Sequence, residues 1–281
     1  MTVRIVQNSY GKSRVRIIKV VRHGAHHDIQ DLTLNIALEG DFDDVHRNGE
    51  NANCLPTDTM KNTVYALAGQ VDDIEEAEDF GRRLCDHFLK HNVQVSRVRL
   101  EIAENAWKRM KNGDELHDHS FIRGSREKRL VNFTAGHNGT KIESGVEELI
   151  VLKTTRSAFA GFKKDEFTTL PEVDDRIFAT SIRALWLYSD AAAASEALSL
   201  AIREQIIRVF AEHDSRSVQH TLYAMGEAVL ADFPDVAEIS FSLPNVHCLP
   251  IDVSRFGVED KYAIFVPTDE PHGLIEARLA R

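Results

Sequence analysis

The stretch Leu32-Thr-Leu-Asn-Ile-Ala-Leu38 carries the clearest sheet signal in the chain. Its large apolar residues occupy every second position, and the polar Thr33 and Asn35 stand between them. Side chains two residues apart in a strand point to the same face, so this alternation predicts a strand that is buried on one side only. Residues 14–21, which precede it, are rich in β-branched side chains. We therefore expect a pair of strands to open the chain.

Apolar residues then recur at the spacing of a helix. Ala77, Phe80, Leu84 and Phe88 follow this spacing behind an acidic first turn, which complements the positive end of a helix dipole. In a later strand the apolar phase slips at Ser96-Arg97, which indicates a bulge. The elements predicted for this half are strands at 14–21 and 32–38, helices starting near Thr57 or Asp58 and covering 77–88, and strands at 93–102 and 130–133.

The same order of elements recurs behind residues 134–140, a turn-rich segment that we interpret as a linker. Grouped strands and grouped helices favour an α+β fold with antiparallel sheets and helices on one face. We therefore divide the chain into a first unit, residues 1–138, and a second unit, residues 139–281. The elements predicted for the second unit are strands at 146–152 and 182–188, helices over 198–210 and 218–229 with Ser215 or Ser217 as a cap, and strands at 239–243 and 262–266.

The composition is that of a folded globular protein, and it limits the possible partners. Of the 281 residues, 43% are hydrophobic and 28% are charged, and the formal net charge is −10. This acidic balance argues against a nucleic-acid partner, whose phosphates require clustered Lys and Arg. No stretch approaches the length of a membrane span, and the three widely spaced cysteines suit a reducing compartment. We expect a cytoplasmic protein with no nucleic-acid partner and no membrane partner.

The usual sequence signatures of cofactor and metal binding are absent. The chain has no Gly-x-Gly-x-x-Gly motif, no Walker loop and no Gly-x-Ser-x-Gly elbow. Two short histidine clusters, at His23/His26/His27 and at His117/His119, lack the Cys or carboxylate partners at ligand spacing that a metal site requires. A polar loop explains both clusters, so no metal site is predicted.

An interrupted apolar row is the first sign of a ligand site. In residues 239–253 every odd-numbered residue is apolar except Asn245 and His247. Buried polar groups cost free energy unless they find partners. Two interpretations stay open: a satisfied core histidine with an asparagine at a turn, or a polar pair that meets a ligand. By strand alternation, Val246 and Cys248 are predicted to face away from this pair.

Four further polar segments interrupt regions that otherwise look ordered. Each has a plain structural explanation: a helix cap at Thr57 or Asp58, an edge-strand lysine at Lys12, a core ring at Phe159, or a surface ion pair at Arg176. Five such segments in one chain are better explained by a shared site. The four are Tyr10-Gly-Lys12, residues 56–63, residues 151–162 with their continuation to Arg176, and Ser217-Val-Gln219.

Together these segments resemble the urate oxidase (uricase) family, in its order and approximate spacing, from residue 8 to about residue 275. The resemblance implies the tunnelling fold (T-fold), in which two tandem units of antiparallel sheet are backed by helices. It also implies a homotetramer in which sheets from several chains close into barrels. Active sites would lie at subunit interfaces and would use no cofactor and no metal.

The resemblance also implies which residues bind the substrate. Arg176 corresponds to the residue that clamps one edge of urate, since a planar guanidinium matches a carbonyl and a ring nitrogen. Gln219, assisted by the backbone of Val218, corresponds to the amide that binds the opposite edge. Phe159 corresponds to the ring on which the flat purine stacks, and Leu170 to an apolar wall.

A second group of residues corresponds to the family's catalytic machinery. Thr57 and Lys12 match a dyad contributed by a neighbouring subunit, with Asp58 fixing the local backbone. Thr57, Asp58 and Asn245 also correspond to residues that contact the substrate. Asn245 matches the holder of dioxygen or water above the ring, a position that Thr57 shares. His247 matches a partner in the proton relay through Lys12.

The implied reaction oxidises urate with O2 and water to 5-hydroxyisourate and hydrogen peroxide. Deprotonated urate is electron-rich and can reduce dioxygen directly, which accounts for the missing flavin or metal signature. Two alternatives remain: a pterin- or purine-handling enzyme of the same fold, or a non-catalytic purine-binding protein. Arg176 with Gln219 favours urate over a pterin, which most such enzymes hold with a carboxylate. The relay residues Lys12, Thr57 and His247 argue against a mere binder.

Overall fold

The computed structural model describes residues 3–281, over which nine strands and five α-helices are arranged in two compact units. The first unit runs to Gly145 and includes Leu187–Ser199, and the second comprises Val146–Trp186 and Leu200–Arg281. The strands are β1 (Tyr10–His23), β2 (His26–Gly40), β3 (Val95–Asn112), β4 (Glu115–Gly136), β5 (Gly139–Lys153), β6 (Phe178–Tyr188), β7 (Val236–Pro250), β8 (Phe265–Thr268) and β9 (Leu274–Ala280). The helices are α1 (Asp43–Asn48), α2 (Thr57–Gly69), α3 (Ala77–His91), α4 (Glu196–Glu212) and α5 (Val218–Asp232).

In the first unit, β1 to β4 form an antiparallel sheet in chain order. The alternating side chains that define β2 are buried: Leu32, Leu34 and Leu38 are 0% exposed. Helix α2 packs on β1, and α3 packs on β3 and β4. The buried stripes of these helices, which include Met60 and Phe88, cover the same sheet. The predicted antiparallel α+β arrangement is confirmed.

Two of the bulges in this sheet lie where β2 pairs with β3 and with β1. Arg97 pairs with Glu39 and Val95 pairs with Gly40, so Ser96 is the extra residue of a bulge at the predicted place. A second bulge, which the sequence did not predict, follows Lys12, because pairing with β2 is interrupted between Lys12 and Val15. Within it Arg14 has a φ of 57° and donates its N–H to the side chain of Asn35 (2.9 Å).

In the second unit, β7 is the strand on which the site depends. Its first half pairs with β9 and its last residues pair with β8. Helix α5 packs on both β7 and β9. Ile239, Phe241 and Leu243 are buried as predicted. Leu249 is 52% exposed, and Ile251 and Val253 lie beyond the end of the strand. The apolar row is therefore a core row only up to the point where Asn245 interrupts it.

Three predictions about the elements need correction. Residues 134–140 are not a linker, because β4 continues to Gly136 and β5 begins at Gly139, which leaves only a turn at His137-Asn138. The last predicted strand, 262–266, lies slightly further along the chain, as β8 (Phe265–Thr268). Strand β9 was missed, although Ile275, Ala277 and Leu279 alternate and pair with the buried residues of β7. The division of the chain at 138/139 stays a prediction. Within residues 3–281 no helix combines the length and apolar character needed to cross a bilayer.

Candidate active site

A cavity of about 410 Å³ lies in the second unit, at the point where β7 leaves β9 and meets β8. Its wall is largely apolar, with a few polar groups, which is the usual composition of a small-molecule site. Seven of the residues predicted from sequence line it: Phe159, Leu170, Arg176, Val218, Gln219, Asn245 and His247. The structure therefore brings together segments that are up to 88 residues apart in the chain.

One side of the cavity combines an aromatic face with a cation. Phe159 and Val173 exchange backbone hydrogen bonds of 2.8 and 3.0 Å, which fixes the backbone of the ring residue. The guanidinium carbon of Arg176 lies 5.2 Å from the centre of the Phe159 ring, within the range of a cation–π contact. Phe162 stacks on Phe159 with ring centres 4.9 Å apart. The ring orientation is thus set before any ligand binds.

The Arg176 side chain lacks a protein partner for one of its donors. Its Nε is buried and makes no hydrogen bond among residues 3–281. Desolvation by burial lowers the pKa of Arg176 from its ordinary value. A buried N–H without an acceptor costs about 1–3 kcal/mol, and such groups are rare unless a ligand or water satisfies them. This N–H is therefore available to an acceptor in the cavity.

The start of α5 forms another part of the wall. Ser217 is the N-cap of this helix, and its hydroxyl accepts the N–H of His220 (3.1 Å), which confirms one of the two predicted caps. The first N–H groups of a helix have no partner within the helix. Those of Val218 and Gln219 are therefore available to a ligand, beside the exposed amide side chain of Gln219.

Asn245 is an unsatisfied polar residue rather than a satisfied core one. Its backbone N–H donates to Gly273 (2.9 Å), while its side-chain Oδ1 is buried without a partner among the described residues. A Cβ atom at position 273 would lie 3.1 Å from the Asn245 amide nitrogen. Glycine at this position therefore avoids a close contact with the amide. His247 pairs with Thr268 of β8. Val246 and Cys248 line the cavity too, so strict alternation does not describe this end of the strand, where β7 changes partners.

Lys12 and Thr57 belong to the first unit and are not among the residues that line this cavity. They are tied to each other through their neighbours. The N–H of Leu55 donates to the phenolic oxygen of Tyr10 (2.8 Å). Burial of that phenol, with the nearby Cys54, raises the pKa of Tyr10 to about 12, so it stays protonated. This contact, which the sequence did not reveal, joins the strand that carries Lys12 to the start of the helix that carries Thr57.

Thr57 is the first residue of α2, and no side chain caps this helix. The predicted structural explanation for Thr57 or Asp58, a helix cap, is therefore wrong. The Asp58 carboxylate accepts from Lys61 (2.5 Å) and Asn62 (2.9 Å) instead. Its pKa is lowered, chiefly by Lys61 and with a contribution from the charge of Lys12. Lys12 therefore lies within electrostatic reach of the helix start.

The fold and the cavity define a class: an α+β protein with antiparallel sheets whose cavity wall combines aromatic, guanidinium and amide groups. Among the described residues, no group of three or more His, Cys, Asp or Glu side chains is placed to hold a metal ion. The chain belongs to the uricase family, because the family model described as Uricase matches residues 8–134 and 142–276. These two matched stretches lie on either side of the turn at His137-Asn138.

Individual relatives agree with this membership. The chain is 40% identical over 275 residues to the uricase of Arthrobacter globiformis, a match that covers 98% of this chain and 89% of that protein. It is 37% identical over 285 residues to the uricase of Danio rerio, covering 99% and 95%. The crystal structure of the uricase from Arthrobacter globiformis superimposes with a TM-score of 0.94, covering 100% of this chain and 96% of that one.

Proposed function

We propose that this chain is a urate oxidase and that its cavity binds urate for oxidation by O2 and water. The products are 5-hydroxyisourate and hydrogen peroxide, which balances the reaction without a further reactant. The observation that carries the proposal is the buried Nε of Arg176, which has no hydrogen-bond partner among residues 3–281, on a guanidinium above the Phe159 ring in a chain of the uricase family. A flat, anionic heterocycle can stack on the Phe159 ring, and its carbonyl and nitrogen acceptors can accept hydrogen bonds from the Arg176 guanidinium.

Substrate binding follows from the cavity wall. Arg176 and Gln219, which we call the urate clamp, hold opposite edges of the ring, and the N–H of Val218 adds a donor beside Gln219. Phe159 stacks on the ring and Leu170 closes an apolar side. The clamp groups are also the donors that stabilise negative charge as it develops in the reaction.

Catalysis requires a base, a proton path and a place for dioxygen. Thr57 with Lys12 supplies the base, because a cationic amine eases loss of the hydroxyl proton or a neutral amine accepts it. Asp58 supports the start of α2 through its hydrogen bonds with Lys61 and Asn62, and His247 extends the proton relay. The unpartnered Oδ1 of Asn245 supports a role in holding dioxygen or water. Because the urate anion reduces dioxygen itself, the proposed reaction uses no cofactor.

A homotetramer of tandem T-fold units would complete the site. The cavity wall belongs entirely to the second unit, whereas Lys12 and Thr57 belong to the first, so a neighbouring subunit is proposed to contribute them. Exposed apolar residues on sheet strands, such as Ile18 and Ile150 at 54% and 59% exposure, support burial against another copy. The cytoplasmic location stays a prediction that rests on the free cysteines.

Metal-free protein in air is expected to remove the ultraviolet absorbance of urate and to release peroxide in equal amount. The same protein without oxygen should bind urate and leave it intact, and added metal chelator should change neither result. Turnover that needs stoichiometric zinc would favour the pterin-type alternative, and urate binding without oxygen uptake would favour the binding protein. Neither alternative is favoured by the family to which the chain belongs.

A mixed assembly tests whether two chains share each site. Thr57→Ala and Arg176→Ala chains are each expected to form nearly inactive assemblies when made alone. Co-expressed in equal amounts, they should regain about a quarter of the wild-type activity, because one site in four then combines an intact first unit with an intact second unit from different chains. Activity that stays at the level of the two separate variants would mean that each site uses a single chain.

A further inference from the structure

A short strap, residues 155–158, links the two residues of the urate clamp, Arg176 and Gln219, which we call its arms. It belongs to the segment 151–162, of which the proposed function uses only Phe159. The buried Ser157 and Ser215 form a parallel bridge. Ala158 donates to the carbonyl of Ser215 (2.7 Å), and Ser215 donates to the carbonyl of Arg156 (2.9 Å). The strap is thereby joined to the turn that leads into α5.

Both arms of the clamp depend on this strap. The backbone N–H of Arg176 donates to the carbonyl of Ser157 (2.8 Å). On the other side, the hydroxyl of Ser215 donates to the carbonyl of Ser217 (2.9 Å), the residue that caps the helix carrying Gln219. The distance between the two arms is therefore set by a few hydrogen bonds centred on Ser157 and Ser215.

The strap adopts a backbone that needs support. Arg156 has a φ of 60°, in the left-handed region that residues other than glycine seldom occupy. Such a conformation persists only where the surroundings over-determine it. Lys153 contributes at the base of the strap, because its ammonium donates to the carbonyl of His213 (2.6 Å) in the same turn.

The Asp175 carboxylate supplies the main side-chain support. One oxygen accepts from the hydroxyl of Thr155 (2.7 Å), and the other accepts from the backbone N–H of Ser157 (3.2 Å). Hydrogen bonds from Thr155 and from the backbone of Ser157, with smaller contributions from the N–H groups of Arg156 and Arg176, lower the pKa of Asp175. The carboxylate is thus engaged by the strap, and the neighbouring guanidinium of Arg176 keeps its Nε free.

We propose that Asp175 is a positioning residue that holds the strap and, through it, the spacing of Arg176 and Gln219. The inference deepens the proposed function and rests on it. Asp175 is not among the residues that line the cavity, so its removal is expected to act on urate binding, through the clamp, rather than on the chemical step. An ionised carboxylate suits this position because all the groups around it are donors.

The test compares Asp175→Ala with a matched control, Asp252→Ala. Asp252 is another exposed carboxylate of the second unit that accepts from a backbone N–H and a hydroxyl, both of Ser254, and it does not line the cavity. We expect Asp175→Ala to raise KM and the anaerobic Kd for urate about tenfold with kcat within threefold, and Asp175→Asn to recover most of that loss because it keeps one acceptor. The control should stay within twofold of the wild type.

Amide hydrogen exchange provides a readout that does not depend on urate. Peptides covering 155–158 and 215–219 should exchange faster in Asp175→Ala than in the wild type. In the control their exchange rates should be unchanged. Unchanged exchange, or KM and Kd equal to those of the control, would overturn the role of Asp175 while leaving urate oxidation intact. A wild-type protein that neither binds nor oxidises urate would instead overturn the proposed function. If Asp175→Ala does not fold, Thr155→Val removes one donor to the same carboxylate and should raise KM about threefold.

Discussion

Replacing Thr57 by alanine is expected to lower kcat for urate oxidation by about 100- to 10,000-fold, the range for losing a positioned acid–base group. KM and the anaerobic Kd for urate should change by less than about threefold, because the clamp and the stacking ring remain in place. The helix should survive the change, since no side chain caps α2 and alanine favours a helix. Steady-state kinetics with an anaerobic binding titration separate the two effects.

Thr59→Ala is the matched control for this prediction. Thr59 lies two residues further along the same helix and is exposed, so its loss should leave kcat within twofold. Two results would contradict the role of Thr57: a variant that keeps more than about a third of the wild-type kcat, or one whose entire loss is in Kd. Either result would mean that a residue other than Thr57 acts as the base of the reaction.

Arg176→Ala is expected to raise KM and the anaerobic Kd for urate by about 100- to 10,000-fold. Hydrogen bonds to charged groups contribute about 1.5–3 kcal/mol each, and a planar guanidinium makes two of them to one edge of the ring. Arg176→Lys should recover little of the loss, because an ammonium keeps the charge but cannot reproduce the paired geometry. Titration of urate under nitrogen measures this loss without turnover.

Stability provides an independent readout for the same variant. The Arg176 guanidinium is desolvated and its Nε has no partner among residues 3–281, so its removal should leave Tm unchanged or raise it. The control is Arg208→Ala, on α4, where the guanidinium donates to Gln205 and lies away from the cavity. It should leave KM within twofold. A fall in Tm of Arg176→Ala with KM unchanged would assign Arg176 a structural role.

The strands and helices nearest the core could be predicted from the sequence, because their buried faces leave a regular pattern. The outer parts of β3 and β4 could not. Prediction reached only 93–102 and 130–133, whereas the strands cover Val95–Asn112 and Glu115–Gly136. In the outer part of β3 exposure still alternates, but the less exposed positions are Asn105, Trp107 and Arg109, so no alternation of apolar residues marks it. In β4 no residue before Leu130 is buried. The turn at His137-Asn138 was interpreted as a linker for a similar reason, since turn-forming residues do not reveal whether strands continue on either side.

The candidate site, too, could be predicted only in part from the sequence. Asn245 and His247 can be identified from the sequence because they interrupt the two-residue apolar period of a strand. Seven residues predicted from the sequence line one cavity. Sequence could not decide between a surface ion pair and a ligand contact for Arg176, because that depends on which distant groups approach the guanidinium. The structure shows that Asp175, the adjacent carboxylate, is engaged by Thr155 and Ser157. No local pattern marks that arrangement.

The α+β class, the buried faces of the main elements and the identity of the polar residues that interrupt them could all be derived from the sequence. These follow from the fixed geometry of helices and strands, in which neighbouring residues face known directions. Two further features became visible in three dimensions: Arg176 and Asn245 each keep a polar atom without a partner among residues 3–281, and one strap joins both residues of the clamp. Such contacts depend on packing between segments far apart in the chain, which local spacing does not encode.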